Sequence, residues 1–144
     1  MAHEKDIDVL NDVTKTLIDS CMGYEKVCEI ADDHRYAKEF QARAKKRTGL
    51  VADFQAQVRA FGGRPETDGG PAGAAHRALT EFAALFRDDE KAALRSVDDG
   101  EEHLIGRIEN KLSEDGLDPA TRGLLSRALA DAREGERFAD QAVD

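Results

Sequence analysis

The sequence contains no tryptophan, only three prolines and two cysteines, and no long run of β-branched or apolar residues. Each shortage removes an architecture. Without β-branched runs a sheet has no strands to build from. No apolar stretch approaches the ~20 residues that a helix needs to cross a bilayer, so no membrane partnership is expected. The opening MAHEKDIDVL is polar and lacks the apolar core of a secretory signal, which makes the cytoplasm the expected compartment. Cys21 and Cys28 stand two turns apart on one helical stretch, a rise of about 10 Å that exceeds disulfide reach. No His or Cys accompanies them at zinc-ligand spacing, so they read as reduced thiols filling space as small hydrophobes.

Positive charge is also short. Lys and Arg number 21 against 30 Asp and Glu, for a net charge of −9. Most of such a surface would repel a phosphate backbone, so nucleic acid is not expected as a partner. Lys45-Lys46-Arg47 is a short basic run within a helix and reads as a solvated face plus one inward Arg. Catalytic signatures are missing as well. There is no phosphate-binding glycine loop, no nucleophile elbow and no Cys/His nucleophile pair. Ser20, Ser96, Ser113 and Ser126 have no recognisable catalytic context, and the usual enzyme classes are not expected.

What is present is amphipathic helix. The length of 144 residues suits one domain over 1–144 with a real core. Ile7, Leu10, Thr14, Leu17, Cys21, Tyr24, Cys28 and Ala31 alternate spacings of three and four, which predicts a first helix. Ala37, Phe40, Ala44, Arg47, Val51, Phe54, Val58 and Phe61 predict a second. The link Asp32-Asp33-His34-Arg35 is short enough to make the two antiparallel neighbours. GGRPETDGGPAG, Gly62 to Gly73, breaks the pattern: Gly62 and Gly63 can supply positive φ, and Pro65 and Pro71 cannot continue a helix. A shorter helix follows over about Ala72 to Phe86. The third long helix runs from about Asp89 to Leu112. Gly116 suits a stop, Asp118 a cap and Pro119 the first position of a last helix reaching about Gln141. The last helix has a small, weak apolar face: Leu124, Leu125, Ala128, Ala132, Gly135, Phe138 and Ala139. The predicted fold is all-α, a ferritin-like four-helix bundle of two antiparallel pairs joined by a long crossover that holds a short helix.

Polar residues interrupt these seams. Leu94, Val97, Leu104 and Ile108 share a face whose missing member is Glu101. Arg47 interrupts the second seam, Glu25 borders the first, and Asp131 lies between Ala128 and Gly135. At ~1.5 Å per residue, the predicted topology puts all four in one central slab. A carboxylate in an apolar seam must find a partner or lose its charge. Arg47 offers a rigid fork with two donors for one carboxylate, which predicts a structural charge network of Arg47, Glu101 and Glu25. A second reading is a metal site of Glu25 and Glu101 completed by Asp131. Di-iron centres of ferritin-like bundles use Glu-x-x-His pairs. Here Ala31, Gly73 and Gly100 stand three before His34, His76 and His103, so that pairing does not occur, and no cofactor is expected. An oxygen-only donor set would favour manganese or calcium over a pair of iron ions. His103 groups with Ser96 and Asn110 on a solvated face. His76 and Arg77 open the crossover helix, where they either pack the connection or bind an anion.

LNDVTKTLIDSCMGYEKVCEIADD, FQAQVRAFGGRPE, GPAGAAHRAL and DDGEE resemble a bacterial family of uncharacterised four-helix-bundle proteins in the ferritin-like superfamily. The resemblance covers nearly the whole chain. It is carried by Leu10-Asn11, by Cys21 before Glu25, by Gly62-Gly63, by Gly73, Ala74, His76 and Arg77, and by Gly100-Glu101. It implies a ferritin-like fold, a domain of unknown function, and Glu25 and Glu101 as the family's Glu positions. It does not imply iron chemistry. Two functions follow as expectations. One is a non-enzymatic, stress-associated or interaction protein, which takes a protein partner or a second copy through its weak last helix. The other is a carboxylate-rich metal-binding or oxidase-like protein.

Overall fold

Five helices form from these patterns in the computed structural model, which describes residues 3–69 and 72–143, the side chains of 72–79 excepted. They are α1 (Glu4–Ile30), α2 (Ala37–Ala60), α3 (Ala72–Asp88), α4 (Glu90–Leu112) and α5 (Pro119–Val143). No strand occurs among the described residues. No helix among them is long and apolar enough to cross a membrane.

Local chemistry sets the ends. Gly62 leaves α2 with φ of 88°, and Gly116 leaves α4 with φ of 82°, the left-handed backbone that glycine adopts without a Cβ penalty. Gly63 is needed for a different reason from the one expected. It does not adopt positive φ, but a Cβ there would come within 2.8 Å of Ile7 Cδ1. Asp89 caps α4 by accepting from the Ala92 N–H at 3.1 Å. Asp118 accepts from the Ala120 N–H at 2.8 Å, ahead of Pro119 at the start of α5. Both caps satisfy amides that a helix start leaves without partners.

Contacts fix the helix directions. α1 packs most extensively on α2, and α4 on α5. Gly63, just past α2, lies against Ile7 near the start of α1, so that pair is antiparallel. Arg107 and Lys111, late in α4, pair with Asp12, early in α1. Lys46 reaches Glu134, and Arg127 reaches Asp53, so α2 and α5 also run oppositely. It follows that α2 finishes at one end of the molecule and α4 begins at the other. The connection climbs α1. Asn11 uses both ends of its amide to hold it, donating to the Arg64 carbonyl at 3.0 Å and accepting from the Glu66 N–H at 2.9 Å. Helix α3 then packs on α1 and α4, and Arg87 donates to the Ile30 carbonyl at the top. The side chains of His76 and Arg77, singled out in the crossover, lie outside the described residues.

Among the described residues two apolar clusters make up the core, and they differ in character. The one nearer the α1 start is mainly aliphatic, with Leu10, Val13, Leu17, Leu50, Val58, Leu104, Ile108 and Leu125 around Phe54. The other gathers rings. Phe40 meets Phe86 at 5.1 Å, Tyr24 at 5.4 Å and Phe138 at 5.9 Å between centroids, pairs that contribute about 0.5–1.5 kcal/mol each beyond area burial. Two details depart from the predicted seams. Leu50, rather than Val51, is the buried residue of its pair, and Arg43 joins the buried face of α2. The last helix buries Thr121 and Asp131 beside its small apolar residues.

Candidate functional site

Arg47 and Glu101 lie where the two clusters meet, at the seam positions between Ala44 and Leu50 on α2 and between Val97 and Leu104 on α4. Arg47 is 0% exposed and Glu101 3%. The guanidinium is saturated. Its Nη1 and Nη2 donate to the two oxygens of Glu101 at 2.7 and 2.5 Å. Nε donates to Asp131 Oδ2 at 2.6 Å. Nη1 also reaches Ser20 Oγ at 2.5 Å, and Nη2 the Asp131 carbonyl at 3.4 Å. These contacts use every N–H that an arginine carries. A lysine could not replace it, because one point charge cannot serve a carboxylate fork and a second acid together. The Tyr24 ring lies 5.6 Å from the guanidinium carbon on another side.

Burial alone would favour a neutral arginine. The bonds and charge of Glu101, followed by Asp131, outweigh it and hold the guanidinium protonated more firmly than usual. One cation faces two carboxylates, and the second cation comes from the rim. Lys46 Nζ stands 3.8 Å from Asp131 Oδ1 and 3.0 Å from Glu134. Lys46, first and foremost, holds the Glu134 carboxyl below its ordinary range.

The fourth helix contributes by an omission. A Cβ on Gly135 would fall 1.8 Å from Glu101 Oε2. The glycine therefore leaves the room that the carboxylate occupies, and α5 can approach α4 only because the side chain is missing.

Glu25 is not brought to this cluster. It is exposed, and its Oε1 lies 3.3 Å from the Cys21 thiol. The seam of α1 passes through Cys21 and Tyr24, and Glu25 is rotated one residue out of it. The network expected to include Glu25 thus has Asp131 in its place. Asp131, which the sequence offered only as a metal ligand, is held by Arg47. Both cysteines are free. Burial first, then Glu25, pushes the Cys21 thiol up; the same two causes act on Cys28. Burial and Glu101 likewise push the Tyr24 phenol up. These groups stay protonated and are poor nucleophiles. His103 is exposed, as its grouping predicted.

The donor set does not fit a metal at the centre. Both Glu101 oxygens and one Asp131 oxygen are turned to a cation that never gives up its proton, and Glu25 faces away from them. Carboxylates close enough together to share an ion occur elsewhere. Asp98, Glu102 and Glu136, on α4 and α5, offer oxygens that all lie within 4.8 Å of one another. Asp98 Oδ1 is buried without a hydrogen-bond partner. Burial first, then Glu102, Asp140 and Asp99, raises the Asp98 carboxyl above its ordinary value.

Sequence reasoning missed Asp6, although its neighbourhood is informative. Asp6 is buried and accepts from the Asp118 N–H at 2.9 Å, joining the starts of α1 and α5. Burial pushes its carboxyl up, but Thr121, Asp118 and His3 together hold it below the usual range. An acid three residues after His3 in a first helical turn reads as a dipole partner, and nothing in the pattern marks it as buried.

Comparison with curated proteins and with solved structures gives no significant match. A family model does match, over residues 5–114, which spans α1 to α4 and stops before α5. Arg47 and Glu101 fall inside the matched region, and Asp131 and Gly135 outside it. The chain belongs to the family described as Domain of unknown function (DUF2383).

Proposed function

We propose that the chain, over residues 1–144, is a ferritin-like four-helix bundle with an arginine–carboxylate network at its centre. On this reading it works as a non-enzymatic, stress-associated or interaction protein of the bacterial cytoplasm. The helix directions and the long connection carrying α3 support the ferritin-like topology. One observation carries the functional reading: Arg47 spends all of its donors on Glu101, Asp131 and Ser20. The neutral thiols and phenol beside it support the absence of covalent chemistry. The partner would be a protein or a second copy of the chain.

The test is elemental analysis of untagged protein never exposed to chelator, followed by manganese and iron titration read by melting temperature. The expected result is no stoichiometric metal and no shift. One metal per chain, with a shift abolished in Glu25→Gln or Glu101→Gln, would replace this reading with a metal-binding or oxidase-like protein using Glu25, Glu101 and Asp131. Calcium belongs in the same titration, since oxygen donors suit it.

A further inference from the structure

Helix α2 carries a second seam on its outer side. Lys38, Lys45 and Arg59 stand at multiples of seven residues, so they line up along the helix over about 31 Å. Ala42, Gly49, Ala52 and Ala56 fill the places between them at spacings of three and four, and all of these residues are exposed. The stripe is bounded on both sides. Lys46 and Asp53 are turned to α5, where they pair with Glu134 and Arg127. Thr48 and Gln55 are turned the other way, to Cys21 of α1 and to the Glu66 carbonyl. Lys38, Lys45 and Arg59 have no ion-pair or hydrogen-bond partner among the described residues. The heptad period is that of a contact between helices. Its small side chains let another helix approach but offer little apolar area, so charge has to choose the partner.

The complementary charge is on the α4–α5 face. Asp98, Glu102 and Glu136 bring oxygens within 4.8 Å of one another, and Asp99 and Asp140 press on Asp98 as well. Among the described residues α2 does not touch α4. The two helices are diagonal in the bundle, so these faces cannot neutralise each other within one molecule. Between two molecules they can. We propose that the outer stripe of α2 docks on the face of α4 that carries Asp98, Asp99 and Glu102 in a second copy of the chain. The two surfaces differ, so the contact is heterologous, and each docked copy leaves one face of each kind free. This rests on the reading of the chain as an interaction protein and names its partner and surfaces. With few cations and little apolar area the contact is weak, with a Kd on the order of 0.1 mM. The net charge of −9 on each copy opposes it at long range, and salt that screens beyond about 10 Å removes that opposition first.

Sedimentation equilibrium of the full chain at neutral pH tests this. At ~0.1 M salt the average mass is expected to rise with concentration above the 15.8 kDa of one chain, and at ~0.5 M salt to fall back to it. Lys45→Glu with Arg59→Glu should abolish the rise, and so should Asp99→Lys with Glu102→Lys. All four positions are exposed, so neither variant should melt below the parent. Mixed in equal amounts, the two variants should associate again, because each keeps the face that the other has lost. A parent that stays monomeric up to about 1 mM would overturn the proposal and leave the stripe to an acidic partner of another kind. Association undiminished at ~0.5 M salt would overturn it in favour of an apolar contact. Variants that associate as the parent does, or a mixture that stays monomeric, would overturn it too. Metal bound by a parent that self-associates in this way would overturn the non-enzymatic reading and leave the docking surfaces standing.

Discussion

Two groups of carboxylates lie close together in this molecule and are treated in opposite ways. At the centre, Glu101 and Asp131 are buried, and Arg47 and Lys46 answer them. On the α4–α5 face, Asp98, Glu102 and Glu136 are more open, and Asp98 is pressed by Glu102, Asp140 and Asp99. The contrast shows what burial demands. A buried charge is met by a cation even where, as at Asp131 Oδ1, no hydrogen bond completes it, whereas the half-exposed Asp98 is left among other acids. It also separates two questions that the sequence runs together. Inward acids need not be ligands, and acids near enough to share an ion need not be inward.

Breaking the centre should have the largest effect. Arg47→Leu leaves Glu101 and Asp131 without their cation in the core. The expected loss is about 3–5 kcal/mol in denaturant unfolding, the range for an orphaned buried charge. Gly135→Ala attacks the same place sterically, because its Cβ would land on Glu101 Oε2. It should cost about 1–3 kcal/mol. The same substitution at Gly49, exposed in α2 with nothing within 4 Å of a Cβ, should stabilise by about 0.5–1 kcal/mol through helix propensity. The opposite signs would separate the carboxylate's need for room from glycine's general weakness in helices.

The acidic face should respond weakly and with the opposite sign. The Asp98 carboxyl is raised by burial and its acidic neighbours, so the folded state holds that proton more tightly than the unfolded chain does. The group therefore opposes folding at neutral pH, and the penalty fades as pH falls through its raised value. Asp98→Asn should stabilise at pH 7 by less than about 1 kcal/mol, with the gain shrinking on acidification. Asp6 gives the mirror image. Its carboxyl is held below the ordinary range, so its contribution is fully present above about pH 4 and is lost as pH falls through the lowered value. Asp6→Asn should flatten the acid limb of a stability-against-pH curve and leave the Asp98 response unchanged.

Much of this was legible in the sequence because helical periodicity and turn chemistry are local. The helix ends near Gly62, Asp89, Leu112 and Pro119 follow from glycine, cap and proline preferences. Arg47 and Glu101 betray themselves by standing where an apolar residue belongs. Other features depend on distances between helices. Glu25 borders its seam, and a rotation of one residue decides whether it points in or out. Asp131 fits a ligand set and an arginine's partner equally well until α5 is placed against α2. Asn11, read as a family mark, proves to clamp the connection through groups at Arg64 and Glu66 that only the fold brings near. The gathering of Phe40, Phe82, Phe86 and Phe138 near one end follows from the predicted antiparallel order, while Phe54 and Phe61 belong to the other cluster.

The central claim is that Arg47 and Glu101 act as one unit. A double-mutant cycle tests it most directly, with Arg47→Leu, Glu101→Leu and the double variant unfolded in denaturant beside the parent. The account predicts that the two single losses together exceed the loss in the double variant by at least about 1 kcal/mol, since removing both charges orphans fewer groups than removing one. Strictly additive losses would contradict it and would leave Glu101 free for another partner.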